Sequence, residues 1–549
     1  MFWFMCKTFY LILISILSSL ALMMFQDTIV FHIDLNSFVE LSLSTTFVID
    51  KISLIFISTV STVSSMIVLY SFFYLKGESP YSISKFLLIL MLFIISMLIL
   101  SVSANLFWLM IGWDGLGISS FCLIIFYQNW KSFGSGMVTF LSNRLGDTLM
   151  IISMVLILLS KSPNAWMFPG MISLLSILIA IGAYSKSAQL PYLFWLPQAM
   201  AAPTPVSALV HSSTLVTAGI YIFCRFQPIS NFFLMMFFFS ISCATVLIAG
   251  TSSLMEFDLK KIIALSTLCH VSLMMMFSVM KEVEMSLFHL MTHAFFKSLL
   301  FMVAGLIIHT SMNSQDIRFI SISKMDISIS FPFFMSILSM MGFPFLSGFY
   351  SKETLLMKSL FDLPSTLMII MFLLNSLFSC AYSIRLAIFL FSKSSMKLSH
   401  WTFSPMSSIL IVSSLFSSFV GGVMMPFIIP EENEVIQSSM IKSFLLVFSF
   451  TGMLIGVLIS TNINTKLVNS LSELWKSNFI YKVTQKHFFL SSSRVMWMMD
   501  EKGIFKMLQQ KIFTNYNKMS YLIYKLTLNE PFLMIKFFHM CGIATFFII

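Results

Sequence analysis

Apolar runs long enough to cross a bilayer recur from one end of this chain to the other. They lie near residues 7–25, 48–75, 84–103, 104–127, 134–160, 169–190, 203–226, 232–253, 259–279, 285–310, 329–348, 352–392, 406–429, 440–460 and 531–549, with 352–392 interrupted or in two pieces. The pattern predicts an all-α polytopic membrane protein with about 15–16 transmembrane helices. The first run has no small-residue cleavage site and is expected to be a retained helix. Residues 26–47 alternate apolar and polar side chains instead, as a half-exposed hairpin does.

Two places interrupt the helical pattern. Residues 186–213 carry Pro191, Pro197, Pro203 and Pro205, and residues 342–353 carry Gly342, Pro344 and Gly348. Proline removes a backbone donor and crowds the preceding turn, so helices end or kink there. Freed carbonyls are tolerated at membrane depth only beside protein or a water-filled cavity. Broken segments at corresponding places in two halves point to an inverted-repeat core, here 95–392 with repeats of about 95–228 and 230–392. Residues 1–90 form an N-terminal region and 393–460 add further helices.

The character changes beyond residue 460. From Lys466 to Glu530 there are ten Lys or Arg against four acids, a net charge of +6 (10 − 4). Ile504, Leu508, Ile512, Met519, Leu522 and Leu526 recur at helical spacing, so 461–530 is expected to be a lateral amphipathic helix on a membrane face. It would reach ~100 Å if continuous. Residues 531–549 then form a terminal anchor.

With 58% hydrophobic and 10% charged residues and a mean hydropathy of +0.94, the chain cannot cover a water-soluble surface. Seven cysteines stand singly with no C-x-x-C spacing, and no Gly-rich phosphate loop follows a strand. No redox cofactor is expected in this chain, and no nucleic-acid partner.

Ionisable groups inside such runs cost several kcal/mol unless paired or hydrated, so each is a functional candidate. Asp114 lies in GWDG between apolar turns, or serves as a helix-edge acid. Asp147 follows Arg144 by one turn, which also allows a local ion pair. Lys186 precedes the proline-rich break, although snorkelling to the interface would also explain it. His211 sits in VHSSTLV and is either a satisfied interior imidazole or a relay. His289, His293 and Lys297 are spaced i, i+4, i+8 and share a helix face, as a proton wire would. Metal binding is disfavoured because no third ligand accompanies the two histidines. Lys352 and Glu353 begin the segment after the second break, where they could also be a helix-start pair. Asp258, Lys260, Lys261, Asp316 and Arg318 read as water-side loop charges.

The strings FWLMIGWDGLGISSF (107–121), NRLGD (143–147), KSAQLPYLFWLPQAMAAPTPVSALVHSSTLVTAGIY (186–221), DLKKIIALST (258–267), THAFFKSLLFM (292–302), QDIR (315–318) and GFPFLSGFYSKE (342–353) occur in this order. Together they resemble the chain 5 family of mitochondrial NADH:ubiquinone oxidoreductase (respiratory complex I), membrane subunits related to cation/proton antiporters. The resemblance implies a proton-translocating subunit of the membrane arm in the mitochondrial inner membrane. NADH, FMN, iron–sulfur clusters and ubiquinone would be bound by partner subunits, contacted through the lateral helix 461–530. It implies a proton path through Asp114, Asp147, Lys186, His211, His289, His293, Lys297 and Lys352. The family has glutamate at Asp114, paired with the lysine matching Lys186; the shorter Asp suggests a water-bridged contact. A carboxylate moved toward or away from a buried lysine changes whether that lysine keeps its proton. A stand-alone cation/proton antiporter and a scaffold that braces a membrane arm are the alternatives.

Overall fold

The computed structural model describes residues 2–24, 28–34, 44–159, 169–226, 232–311, 313–322, 326–361, 366–391, 404–428 and 439–461. The expected lateral helix and terminal anchor, 462–530 and 531–549, lie outside the described residues. Helix α1 (Phe2–Met24) leads to an antiparallel hairpin of β1 (Ile29–Asp34) and β2 (Ser44–Ile49), registered Ile29 to Ile49 and Phe31 to Phe47. Then come α2 (Lys51–Tyr74), α3 (Pro80–Val102), α4 (Leu106–Ile124), α5 (Trp130–Leu159) and α6 (Pro169–Lys186). A broken stretch carries the short α7 (Trp195–Ala199) and α8 (Thr204–Val206), a π-helical turn at Ser207–Thr214, and α9 (Leu215–Phe226). The chain continues through α10 (Phe232–Ser253), α11 (Leu259–Val279), α12 (Val283–Thr310), α13 (Ile327–Met341), α14 (Ser347–Phe361), α15 (Thr366–Phe391), α16 (Ser404–Ile428) and α17 (Ser439–Thr461). Among the described residues, nine helices are long and apolar enough to cross a membrane.

The centre of this helical protein is α11, α12 and the α8–α9 segment, whose apolar windows are wholly buried. Around them, outward faces expose Phe9, Leu20, Leu92, Phe233, Phe419 and Leu454. Large apolar side chains left bare at this density mark a lipid-facing surface. Serine and threonine are common inside, and most give their hydroxyl to a carbonyl three or four residues back, as Ser61, Ser64 and Ser71 do on α2.

Two arginines close helix ends. Arg385 on α15 is buried and donates to the carbonyls of Glu256 (2.7 Å) and Ser253 (3.4 Å), at the C-terminal end of α10. Arg225 donates to the Ser101 carbonyl (2.5 Å) near the end of α3 and to the Val48 carbonyl (3.3 Å) in β2. Cations suit the unsatisfied carbonyls and dipole of a helix C-terminus.

The expected loop charges divide. Asp258 pairs with Lys261 at 2.7 Å, and Asp316 with Arg318 at 2.5 Å. Partial burial of Asp316 pulls its carboxyl upward, but hydrogen bonds and charge from Arg318 hold it below the usual carboxylate range. Lys260 departs from expectation: it is buried at the start of α11 and donates to the Ala202 carbonyl at 3.1 Å. The helical rotation that turns Lys261 outward turns Lys260 toward the freed carbonyls of the proline-rich break.

The second break is short. Gly342 ends α13 at φ +84°, a left-handed cap that glycine adopts without a Cβ penalty. Six residues on, α14 packs so close to α13 that a Cβ on Gly348 would overlap the Ser339 carbonyl oxygen. Gly348→Ala is therefore expected to force α13 and α14 apart at a cost of about 1–3 kcal/mol. A lower thermal-inactivation midpoint of the purified complex checks it; an unchanged midpoint would show that the helices separate freely.

Candidate functional site

A proximal cluster forms where α4, α5 and α6 meet. Gly146 lets α5 approach α6, since a Cβ there would collide with Ser185 Oγ. Asp147, next to it, is buried and accepts a hydrogen bond from Trp113 Nε1 at 2.7 Å. Arg144 lies 3.4 Å from both Asp114 Oδ1 and Asp147 Oδ2. Asp114 is the outer member, with 36% of its side chain exposed against 3% for Asp147. Lys186 is the last residue of α6 and fully buried. Its Nζ donates to the Trp113 carbonyl at 2.6 Å and lies 3.6 Å from the Trp113 ring centroid.

The direct contacts of Asp114 and Lys186 lie elsewhere. Asp114 meets Arg144 rather than Lys186, and Trp113 stands between the lysine and the acids. Asp114 is partly exposed, and one of its carboxylate oxygens faces the guanidinium.

His211 is buried in the π-helical turn, its ring 6.2 Å from that of Trp195, and neither nitrogen meets a protein hydrogen-bond partner. The sequence pattern predicts plain helix here; the wider turn is what the structure adds. It leaves carbonyls poorly matched, and neighbouring hydroxyls take them: Ser213 and Thr214 both donate to Leu209, at 3.0 and 2.8 Å, and Ser212 to Ala208. Single π turns inside α-helices are frequent at functional sites.

The central cluster joins α11, α12, α14 and α15. Lys297 is fully buried, with Nζ 2.5 Å from Ser266 Oγ and 3.1 Å from Met340 Sδ. Lys352 places Nζ at 2.6 Å from the Met340 carbonyl, 3.0 Å from the Met341 carbonyl and 2.9 Å from Ser379 Oγ. All three ammonium donors are thus met, two by the open end of α13. Met340 touches one lysine through sulfur and the other through its carbonyl.

The helix-start reading of Lys352 and Glu353 is corrected: α14 begins at Ser347, so both stand in its second turn, buried. Along α12 the two expected imidazoles do not bond each other directly. The His289 and His293 ring centroids are 6.4 Å apart, and both His293 nitrogens lack a protein hydrogen-bond partner. His289 turns sideways instead, to His270 Nδ1 (3.2 Å) and Ser351 Oγ (3.0 Å). His270, Ser266, Ser351, Ser379, Met340 and Tyr382 were not anticipated. His270 carried a visible signal, an imidazole in the apolar run 259–279; the others look like ordinary helix residues. No group of three or more His, Cys, Asp or Glu could hold a metal among the described residues. At one end of the bundle a cavity of about 530 Å³ is lined by Tyr74, Glu78, Tyr127, Lys260 and His309.

Comparison with known proteins places this geometry. Residues 103–379 match the family described as "NADH:quinone oxidoreductase/Mrp antiporter, TM", and residues 36–87 match "NADH-Ubiquinone oxidoreductase (complex I), chain 5 N-terminus". The fold resembles a subunit of the Mrp complex from a Dietzia species, with a TM-score of 0.74 and 20% identity over 89% of this chain and 57% of that longer one. It also resembles a subunit of an archaeal membrane-bound sulfane sulfur reductase, with a TM-score of 0.68 and 19% identity over 83% of this chain and 93% of that one. The fold is thus of the antiporter-like class found in multi-subunit membrane complexes. NADH-ubiquinone oxidoreductase chain 5 of Aedes aegypti is 37% identical over 91% of this chain and 87% of its own length; that of Locusta migratoria is 39% identical over 83% and 79%. The chain belongs to the NADH-ubiquinone oxidoreductase chain 5 family.

The proximal geometry orders two substitutions. Trp113→Phe strips Asp147 of a buried donor and should cost about 1–3 kcal/mol. Asp114→Asn loses only a half-exposed ion pair, at about 1 kcal/mol or less. Thermal-inactivation midpoints of the solubilised complex compare them; the reverse order would contradict the assigned burial.

Proposed function

We propose that this chain is a proton-translocating core subunit of the membrane arm of NADH:ubiquinone oxidoreductase, and that it works in the mitochondrial inner membrane. The observation that carries this reading is a family-matched bundle holding Lys186, Lys297 and Lys352 in its interior, none in an ion pair among the described residues. Uncompensated ammonium groups are costly at membrane depth and are kept where charge must move. Membership of the chain 5 family favours this over a stand-alone antiporter or a scaffold.

NADH, FMN, iron–sulfur clusters and ubiquinone belong to partner subunits in this reading, and this chain contributes charge movement alone. Residues 461–530 would contact those membrane-arm partners, with lipid covering the apolar outer faces. Asp114, Asp147 and Lys186 load or release a proton on one side. His211 connects that site to His289, His293 and Lys297, and Lys352 is the distal exit. Redox steps elsewhere bias two arrangements of these charges, and each shift changes which lysine keeps its proton. Moving one charge against 100 mV costs about 2.3 kcal/mol, within reach of a coupling of a few kcal/mol.

Lys297→Met tests the reading in an assembled complex reconstituted into liposomes. Protons moved per NADH oxidised are expected to fall, or turnover to drop about tenfold or more if the two are tightly coupled. An unchanged ratio at unchanged turnover would exclude Lys297 from the path.

A further inference from the structure

Three buried groups outside the expected path, Tyr382, His270 and Ser351, join His289 in one hydrogen-bonded chain across four helices. Tyr382 on α15 places its hydroxyl 3.2 Å from His270 Nε2. His270 on α11 places Nδ1 3.2 Å from His289 Nε2 on α12. The opposite nitrogen of His289, Nδ1, lies 3.0 Å from Ser351 Oγ on α14. All four side chains are essentially inaccessible to solvent.

Each imidazole in this chain uses both ring nitrogens, one toward each neighbour, as a relay requires. The chain runs close to both lysine sites. Ser351 directly precedes Lys352, and Tyr382 lies one turn after Ser379, which accepts from Lys352 Nζ at 2.9 Å. His270 lies one turn after Ser266, which accepts from Lys297 Nζ at 2.5 Å. The Lys297 ammonium is 6.0 Å from the Tyr382 ring centroid. His293, the nearest alternative on α12, has a ring 5.5 Å from that of His270 but no protein hydrogen bond to either nitrogen.

We infer that His270 is a proton-relay residue, joining Tyr382 to His289 and Ser351 and so linking the Lys297 and Lys352 sites. This rests on the proton-translocating reading above. In one passage a proton bonds to the nitrogen of His270 facing the incoming side, and the proton on its other nitrogen passes to His289. His289 forms one N–H bond and breaks one in the same way, and the proton leaves at the far end. One proton enters, one leaves, and each imidazole ends neutral with its tautomer reversed. Rotation or a return shift of the tautomers resets the chain; no electron is transferred and no co-reactant is consumed.

The test uses the assembled complex carrying His270→Gln, Tyr382→Phe or both, reconstituted into liposomes, with Lys297→Met in parallel. Glutamine keeps a donor and an acceptor but cannot exchange one proton for another between two nitrogens. Proton-coupled turnover is expected to fall about tenfold in each single variant at equal assembly, with an altered solvent deuterium isotope effect. The double variant should lose no more than either single one, because both cut the same chain. Tyr382→Phe gives an independent reading if His270→Gln reduces assembly. Unchanged turnover and isotope effect in the single variants, or losses that multiply in the double one, would overturn the inference. If Lys297→Met abolishes pumping while His270→Gln does not, only the relay fails; if neither changes it, the proton-translocating reading fails first.

Discussion

A lysine kept inside a membrane bundle without a carboxylate contact must be solvated by the protein itself, and much of this structure follows from that constraint. An ammonium has three donors and no acceptor. Within a helix each carbonyl already accepts a backbone bond and has one lone pair left to offer, whereas the carbonyls at a helix end are free of backbone bonds. This fold carries helix ends into its interior. Lys352 takes two carbonyls from the end of α13, and the buried Lys260 takes one from the proline-rich stretch. Lys186 reaches the Trp113 carbonyl and the ring face of the same residue. Proline and glycine in the two breaks are therefore part of the charge chemistry for Lys352 and Lys260, since they free the carbonyls that accept from these two lysines.

The same constraint explains the hydroxyl-rich interior. Serine and threonine satisfy their own donor on a nearby helical carbonyl and still offer an oxygen lone pair. Ser266 and Ser379 each do both, and each also accepts from a lysine. Three lysine sites thus rest on neutral partners whose bonds can be exchanged without separating an ion pair. Asp114 and Asp147 both meet Arg144, and Asp114 remains partly exposed.

Much was legible in order and type. The expected runs 232–253 and 259–279 coincide with α10 and α11 to within a residue, because a bilayer-length apolar run admits few structures besides a helix. The hairpin of 29–34 and 44–49 was readable from the alternation of apolar and polar residues, and the breaks from proline and glycine. Scarcity of charge singled out Lys186, Lys297 and Lys352. Scarcity could equally have singled out His270, whose position in an apolar run is no different from that of His211. Ser351, Tyr382 and Met340 could not be found this way, since each is a common residue of membrane helices.

From the sequence alone came the class of the protein, the approximate spans, and the set of ionisable groups that must lie at depth. Hydropathy and charge are local properties, and desolvation penalises a charge wherever it sits in an apolar run. Who meets whom was decided only by tertiary packing. The i, i+4 spacing on α12 put His289 and His293 on one face, yet neighbouring helices turned His289 toward His270 and Ser351. Asp114 and Lys186 were fit partners by charge, yet α5 brought Arg144 to Asp114, and α4 offered Lys186 the carbonyl and ring of Trp113. Contacts between helices depend on distances and rotations that no single helix contains, and it is there that the candidate path is assembled.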